Sequence, residues 1–246
     1  MDKRPLKAFF FDIDDTVYSI TDFAQLARRA AVRAMIEAGL KIDEETCYDE
    51  LTAVIEEFGS NHEQHFDKLL KRLPEELYRG RSPLLLKTAG IIAYHDSKPY
   101  NFFPFSDAID VLVKLRERKL KLGIVTAGLE NKQAEKICRL GLHNIVEHRY
   151  IFITDCVGIS KQNSAIYQAA CRSVYAEPEE CIYIGDNPLV DVDVPASIGM
   201  RTILCRRGGK YRETTGKVAP DHTVDNFYDV LEIIDREYRI VPPGGK

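Results

Sequence analysis

The sequence predicts an α/β fold in which a parallel sheet is interrupted, after its first strand, by an all-helical domain. Three observations carry that prediction. Short apolar runs at residues 7–11, 121–125, 150–153, 181–184 and 201–204 alternate with helical segments in the second half of the chain, a pattern that implies right-handed crossovers and parallel strands. Between residues 21 and 98 apolar residues recur only at helical spacing, with no period-2 run. Acids and small polar residues follow the strands, at the edge where open parallel sheets bind ligands.

The first strand, KAFFF at 7–11, is a continuous apolar run suited to burial on both faces. Phe23, Leu26, Ala27, Ala30, Ala34 and Ala38 then recur at three- and four-residue steps, and Gly39 is a helix stop. Asp43 is placed to cap a second helix reaching Phe58, Asn61 a third reaching Leu70, and a fourth lies within 82–94. Beyond Pro99 the predicted order is helix 107–118, strand 121–125, helix 130–140, strand 150–153, helix 164–174, strand 181–184, short helix 189–198, strand 201–204 and closing helix 226–238. The core therefore spans 1–18 and 99–246, and the helical insertion 19–98.

Composition bounds the function. The 246 residues are 45% hydrophobic and 29% charged, which excludes a disordered chain. A net charge of -4 and a pI near 5.9 argue against nucleic acid as a partner. Six cysteines without CxxC or zinc-ligand spacing read as thiols of a reducing compartment. No apolar run approaches the roughly 20 residues needed to span a bilayer, and the apolar stretch 8–11 is too short for a secretory signal. The expected setting is cytoplasmic, with no membrane partner.

The residues after the strands form the candidate site: Asp12, Asp14, Asp15 and Thr16; Thr126, Ala127 and Gly128; Thr154 and Asp155, with Ser160 and Lys161 further on; and Gly185, Asp186 and Asn187, with Asp191 following. With 19 aspartates, chance alone supplies roughly one or two Asp-x-Asp pairs, and Asp191 and Asp193 form another. What distinguishes Asp12 and Asp14 is their place after a buried strand, where carboxylates repel one another unless a cation or donors compensate. Singly, Thr126 is a turn residue, Lys161 a solvated side chain and Asp186 a helix cap. Jointly, at successive strand ends, they make a catalytic constellation.

These residues give the chain a resemblance to the haloacid dehalogenase-like hydrolase superfamily. The four motifs stand in order as FFDIDDT (10–16), IVTAG (124–128), Lys161 and GDNPLVD (185–191). The resemblance covers nearly the whole core, implies a Rossmann-like fold, and matches the helical insertion to an α-helical (C1-type) cap. Two departures concern loop shape: Gln162 and Asn163 follow Lys161 where proline is common, and VDVPA (192–196) replaces a usual Gly-Ala pair.

The resemblance implies phosphoryl transfer through an aspartyl-phosphate, and the residue types suit it. Asp12 would be the nucleophile and Asp14 the general acid and then base. Thr126 and the Ala127 amide would bind phosphoryl oxygens, and Lys161 would neutralise their charge. Mg²⁺ would be held by Asp12, Asp186 and the Asp14 carbonyl, with Asp191 behind them orienting a water or Lys161. Asp14 favours a phosphatase of small phosphorylated metabolites over a metal-independent dehalogenase, which lacks an aspartate there; a phosphomutase is the minor alternative. Receiver-type phosphoaspartate signalling modules share several residue types, but in a different order.

Further segments carry weaker expectations. The cap would close over the site on hinges near 18–21 and 97–101, and YHDSKPYNFF (94–103) reads as a linker. His62 and His65 form H-x-x-H on a predicted helix with no supporting acid, hence a solvated face. The basic loop CRRGGKYR (205–212) lies beyond the last core strand. Sugar phosphates, nucleotides, phosphoglycolate and other phosphomonoesters all stand open as substrates.

Overall fold

A computed structural model describes residues 3–242, apart from the side chains of Pro99 and Tyr100. The ends of the expected core ranges (1–2 and 243–246) and those two side chains of the 94–103 linker lie outside the described residues. The elements follow in chain order: β1 (Arg4–Leu6), β2 (Ala8–Phe11), α1 (Ile20–Glu37), α2 (Glu44–Phe58), α3 (His65–Arg72), α4 (Pro83–Asp96), α5 (Lys98–Asn101), α6 (Ser106–Glu117), β3 (Lys121–Thr126), α7 (Glu130–Arg139), β4 (Ile151–Ile153), α8 (Thr154–Val157), α9 (Ala165–Ser173), β5 (Cys181–Gly185), α10 (Asp193–Ala196), β6 (Arg201–Cys205), β7 (His222–Val224), α11 (Phe227–Glu237) and β8 (Tyr238–Ile240). The chain divides into an α/β unit, which runs to Ile20 and resumes at Phe103, and a helical unit, Thr21–Phe102. Among the described residues, no helix is long and apolar enough to cross a membrane.

In the α/β unit six parallel strands run in the order β4-β3-β2-β5-β6-β7. β2 lies at the centre, with Phe11 in register with Ile124 of β3 and Ile184 of β5. Its four residues are fully buried, which explains an unbroken apolar run in place of alternation. Each buried phenylalanine contributes roughly 1.5–3 kcal/mol. A parallel sheet brings all carboxyl ends to one edge, so the loops after β2, β3 and β5 converge there by topology alone.

The sequence expectation differs from the structure at several places, among them the short helices α5, inside the 94–103 stretch read as a linker, and α8. An unexpected strand precedes the expected one: Arg4–Leu6 forms a separate two-stranded parallel ribbon with β8, and Lys7 leads into the main sheet by donating its N–H to the Glu180 carbonyl at 2.8 Å. β7 pairs with β6 where no strand was expected, because His222–Val224 is too short to show a period. The expected helix 189–198 is a π-helical turn, Pro188–Val192, followed by the short α10. Finally, α3 begins at His65 with Gln64 as its cap residue, not at Asn61. His62 donates its N–H to the Gly59 carbonyl and stacks its ring on Phe58 at 5.2 Å, while His65 meets that same carbonyl at 2.9 Å. This tight turn consumes the residues expected to open the helix, and the two histidines pack within it.

In the helical unit, α1 buries Phe23, Ala27, Ala31, Val32 and Met35 on one stripe. Val32, Met35, Leu40, Cys47, Leu51, Leu69, Leu70, Leu73 and Leu86 make this unit's own core. Asp43 caps α2 by accepting from the Thr46 N–H at 2.9 Å, worth about 1 kcal/mol.

The basic loop is held by structural contacts. Arg207 forks onto Asp107 of α6, with one N–O distance of 2.9 Å, and lies over the Phe105 ring at 4.3 Å. Asp107 also accepts the Phe227 N–H at the start of α11, at 2.8 Å. Burial would raise the Asp107 carboxyl, but the guanidinium and that N–H outweigh it and hold it below the usual carboxylate range. A depressed folded value stabilises the protein above the unfolded carboxyl's range, near pH 4, and the contribution fades as pH falls further. We therefore predict that Asp107→Asn costs about 3 kcal/mol at pH 7 and flattens the stability loss between pH 4 and 2. Urea unfolding across pH checks this; equal midpoints for variant and parent at pH 7 would refute it.

Candidate active site

Asp12 follows the last residue of β2, and its N–H donates to the Ile184 carbonyl of β5 at 2.9 Å, which ties it to the strand that delivers Asp186. Asp12, Asp186 and Asp191 are buried, and each offers a carboxylate oxygen within 4.8 Å of the other two. Lys161, itself 5% exposed, sets its Nζ 3.2 Å from Asp12 Oδ2 and 2.5 Å from Asp191 Oδ1. The aromatic floor beneath is fixed by Tyr183, which donates to the Val125 carbonyl, and Tyr167, which donates to the Val190 carbonyl.

The π-helical turn explains how Asp191 reaches this group. The Asp191 N–H donates to the Asn187 carbonyl at 2.7 Å, and its Oδ2 accepts the Asn187 N–H at 3.0 Å. The carboxylate thereby folds back against Gly185, and a Cβ on Gly185 would collide with it. Asp193, in the second Asp-x-Asp pair, instead accepts the backbone N–H groups of Lys217 and Val218 and braces a loop.

The electrostatics are those of an overcrowded acid cluster. Burial, then Asp191 and Asp14, raise Asp12 against the pull of Lys161, to about 6. Burial with Asp12, Asp191 and Asp15 pushes Asp186 up to about 9. Burial would lower Lys161, yet Asp12 and Asp191 hold it well above its ordinary value. One ammonium thus faces three carboxylates, and Asp12 Oδ1 is buried without a hydrogen-bond partner. An all-oxygen set with an unsatisfied acceptor on Asp12 fits a hard divalent cation such as Mg²⁺.

The second loop brings Thr126, Ala127 and Gly128 to the same edge. Thr126 Oγ1 donates to Gln133 Oε1 at 3.3 Å, Gln133 Nε2 donates to the Ala127 carbonyl at 2.9 Å, and the Gly128 N–H donates to Thr154 Oγ1 at 3.1 Å. Asp155 accepts the Glu130 N–H at 3.0 Å, bonding the first turn of α7. Asp14 meets Lys136 of α7, whose Nζ lies 2.7 and 2.6 Å from the two carboxylate oxygens. Asp15 is buried, at φ 49°, with Gly209 of the basic loop close enough that a Cβ there would stand 2.7 Å from its carboxylate.

The structure therefore brings Asp12, Asp186, Asp191 and Lys161 together, with Asp14 two residues from Asp12 and the Thr126 loop on the adjacent strand. Sequence reasoning missed Gln133 and Lys136. Both lie beyond the first residues after a strand, and only their i, i+3 spacing on one helix face could have flagged them.

Comparison with known proteins agrees with this architecture. The sequence profile of the haloacid dehalogenase-like hydrolases matches residues 6–199. The glyceraldehyde 3-phosphate phosphatase of Methanopyrus kandleri is 41% identical over 234 residues, covering 93% of this chain and 97% of that protein. The glyceraldehyde 3-phosphate phosphatase of Methanocaldococcus jannaschii is 33% identical over 229 residues, covering 93% and 97%. Among solved structures, a HAD phosphatase from Thermococcus onnurineus shares the fold with a TM-score of 0.63 at 21% identity, covering 95% of this chain and 100% of that one. A HAD-hydrolase of Bacillus subtilis bound to magnesium gives 0.63 at 18%, covering 94% and 100%. The chain belongs to the haloacid dehalogenase-like hydrolase family. Within it, the enzyme is of the phosphatase type, a phosphoric monoester hydrolase.

Gly185→Ala is predicted to force the Asp191 carboxylate out of its seat. Overpacking of this kind costs about 1–3 kcal/mol, a fall in Tm of several degrees for a chain of this size. Thermal unfolding measures it, and an unchanged Tm would show that the carboxylate relocates freely.

Proposed function

We propose that this protein hydrolyses small phosphomonoesters in a Mg²⁺-dependent reaction through an aspartyl-phosphate on Asp12, with glyceraldehyde 3-phosphate as the leading substrate. The observation that carries the reading is the buried, unpartnered Asp12 Oδ1 among Asp186, Asp191 and Lys161. The substrate assignment is supported by the activity named for relatives aligned over more than nine-tenths of this chain. A metabolic phosphatase with free thiols suits a cytoplasmic setting.

In the first half-reaction an Asp12 oxygen bonds to phosphorus as the ester P–O bond breaks, and Asp14 gives its carboxyl proton to the departing oxygen. In the second, water attacks phosphorus, Asp14 takes its proton, and the P–O bond to Asp12 breaks to release phosphate. Thr126 and the Ala127 N–H bind phosphoryl oxygens, and Lys161 offsets charge that grows on them. Asp12, Asp186 and the Asp14 carbonyl would hold Mg²⁺, with Asp191 fixing Lys161. The ion supplies charge neutralisation that lets an anionic nucleophile approach an anionic ester. The helical unit, inserted between β2 and α6, takes the role of a mobile cap that selects the leaving group.

Phosphate release from glyceraldehyde 3-phosphate and a panel of sugar phosphates, nucleotides and phosphoglycolate tests this. Release is expected with Mg²⁺ and not with EDTA, falling on the order of 10³-fold or more in Asp12→Asn. Release from no ester by folded, Mg²⁺-supplied protein would overturn the reading. Mg²⁺ at about 100 times its Kd should stabilise the parent by roughly 2.7 kcal/mol. Asp186→Asn should keep its stability without Mg²⁺ and lose that increment; a full Mg²⁺ shift in this variant would remove Asp186 from the ligand set.

A further inference from the structure

Helix α7 carries two side chains, three residues apart, that each grip a different catalytic loop. Gln133, 3% exposed, joins the Thr126 hydroxyl to the Ala127 carbonyl. Lys136 reaches back across 122 residues of sequence to Asp14, and its side chain is only 14% exposed. Residues at i and i+3 share a helix face, so one rigid element sets the loop after β2 against the loop after β3.

The Lys136 contact is unusually specific for a lysine. Its Nζ is nearly equidistant from both Asp14 oxygens, at 2.7 and 2.6 Å, which fixes the direction of the carboxyl plane as well as its distance. The Tyr18 ring, 6.0 Å away, flanks the ammonium. A solvated surface pair would contribute little and leave both chains free to rotate. Here the lysine side chain is 14% exposed and its Nζ meets a single carboxylate, itself 28% exposed.

We propose that Lys136 is the positioning residue for Asp14, orienting its carboxyl group toward the ester's leaving oxygen. The inference rests on the acid–base role given to Asp14 above. In this role Lys136 acts through Asp14 alone, holding it where the departing oxygen and, later, the attacking water stand. Misplacing such a group by about 1 Å costs on the order of 10²-fold in rate. The cost falls on kcat and not on KM, because phosphate binding is left to Thr126, Ala127 and Lys161.

The test compares Lys136→Met, Lys136→Arg and Asp14→Asn on two esters of different leaving-group quality, each with Mg²⁺. An alkyl ester such as glycerol 3-phosphate needs its leaving oxygen protonated, whereas p-nitrophenyl phosphate does not. Lys136→Met should lose on the order of 10²-fold in kcat on the alkyl ester with KM within about twofold. It should still give a one-equivalent burst of p-nitrophenol at close to the parent's burst rate. Lys136→Arg, which can fork onto the same carboxylate, should recover most of the loss. Equal losses on both esters, burst included, would mark Lys136 as merely structural and overturn the proposal, as would a Lys136→Met enzyme unimpaired on the alkyl ester. Asp14→Asn separates the two levels of argument. If it shows the leaving-group-dependent loss and Lys136→Met does not, the positioning role fails alone; if Asp14→Asn shows none, the reading of Asp14 fails with it. Circular dichroism and Tm of Lys136→Met confirm that the comparison concerns folded protein.

Discussion

The site depends on one interaction: a buried ammonium, Lys161, set between the carboxylates of Asp12 and Asp191. Three acids with carboxylate oxygens within 4.8 Å of one another could not be taken out of water unaided, since each costs several kcal/mol in desolvation. Lys161 offsets part of that charge, and what it leaves over makes the pocket hungry for a second cation. The incomplete compensation leaves negative charge that a divalent cation would offset in the proposed reaction.

Precision at this edge comes from elements that do not themselves react. The π-helical turn after β5 bends Asp191 back beneath Asn187, and Gly185 leaves room for it. Tyr167 and Tyr183, packed edge to face at 5.0 Å, spend their hydroxyls on backbone carbonyls and keep the floor rigid. Helix α7 holds the Thr126 loop and Asp14 at once. Parallel strands supply convergence, but angstrom-level placement is supplied by these side-chain-to-backbone bonds.

Much of the fold was legible in the sequence because the relevant signals are local. AFFF declares a strand buried on both faces, Asp43 and Asn226 declare helix starts, and the motif residues stand directly after their strands. What escaped was either very short or set by distant partners. Arg4–Leu6 and Tyr238–Ile240 become strands only by pairing with each other, and three residues cannot display a period. Asn61 looks like a cap, yet the ring stacking of His62 on Phe58 keeps the chain in a turn until Gln64. Lys136 and Gln133 look like ordinary polar helix residues, and nothing in their own neighbourhood announces that they face Asp14 and Thr126.

The sheet order bears on how the chain is made. β2 is made before its two neighbours in the sheet, β3 and β5, which lie more than 100 and 160 residues downstream. The three phenylalanines of β2 must wait for both strands to be made before they are covered on both sides. In that interval the helical unit, whose core is contributed wholly by its own residues, is complete and can fold.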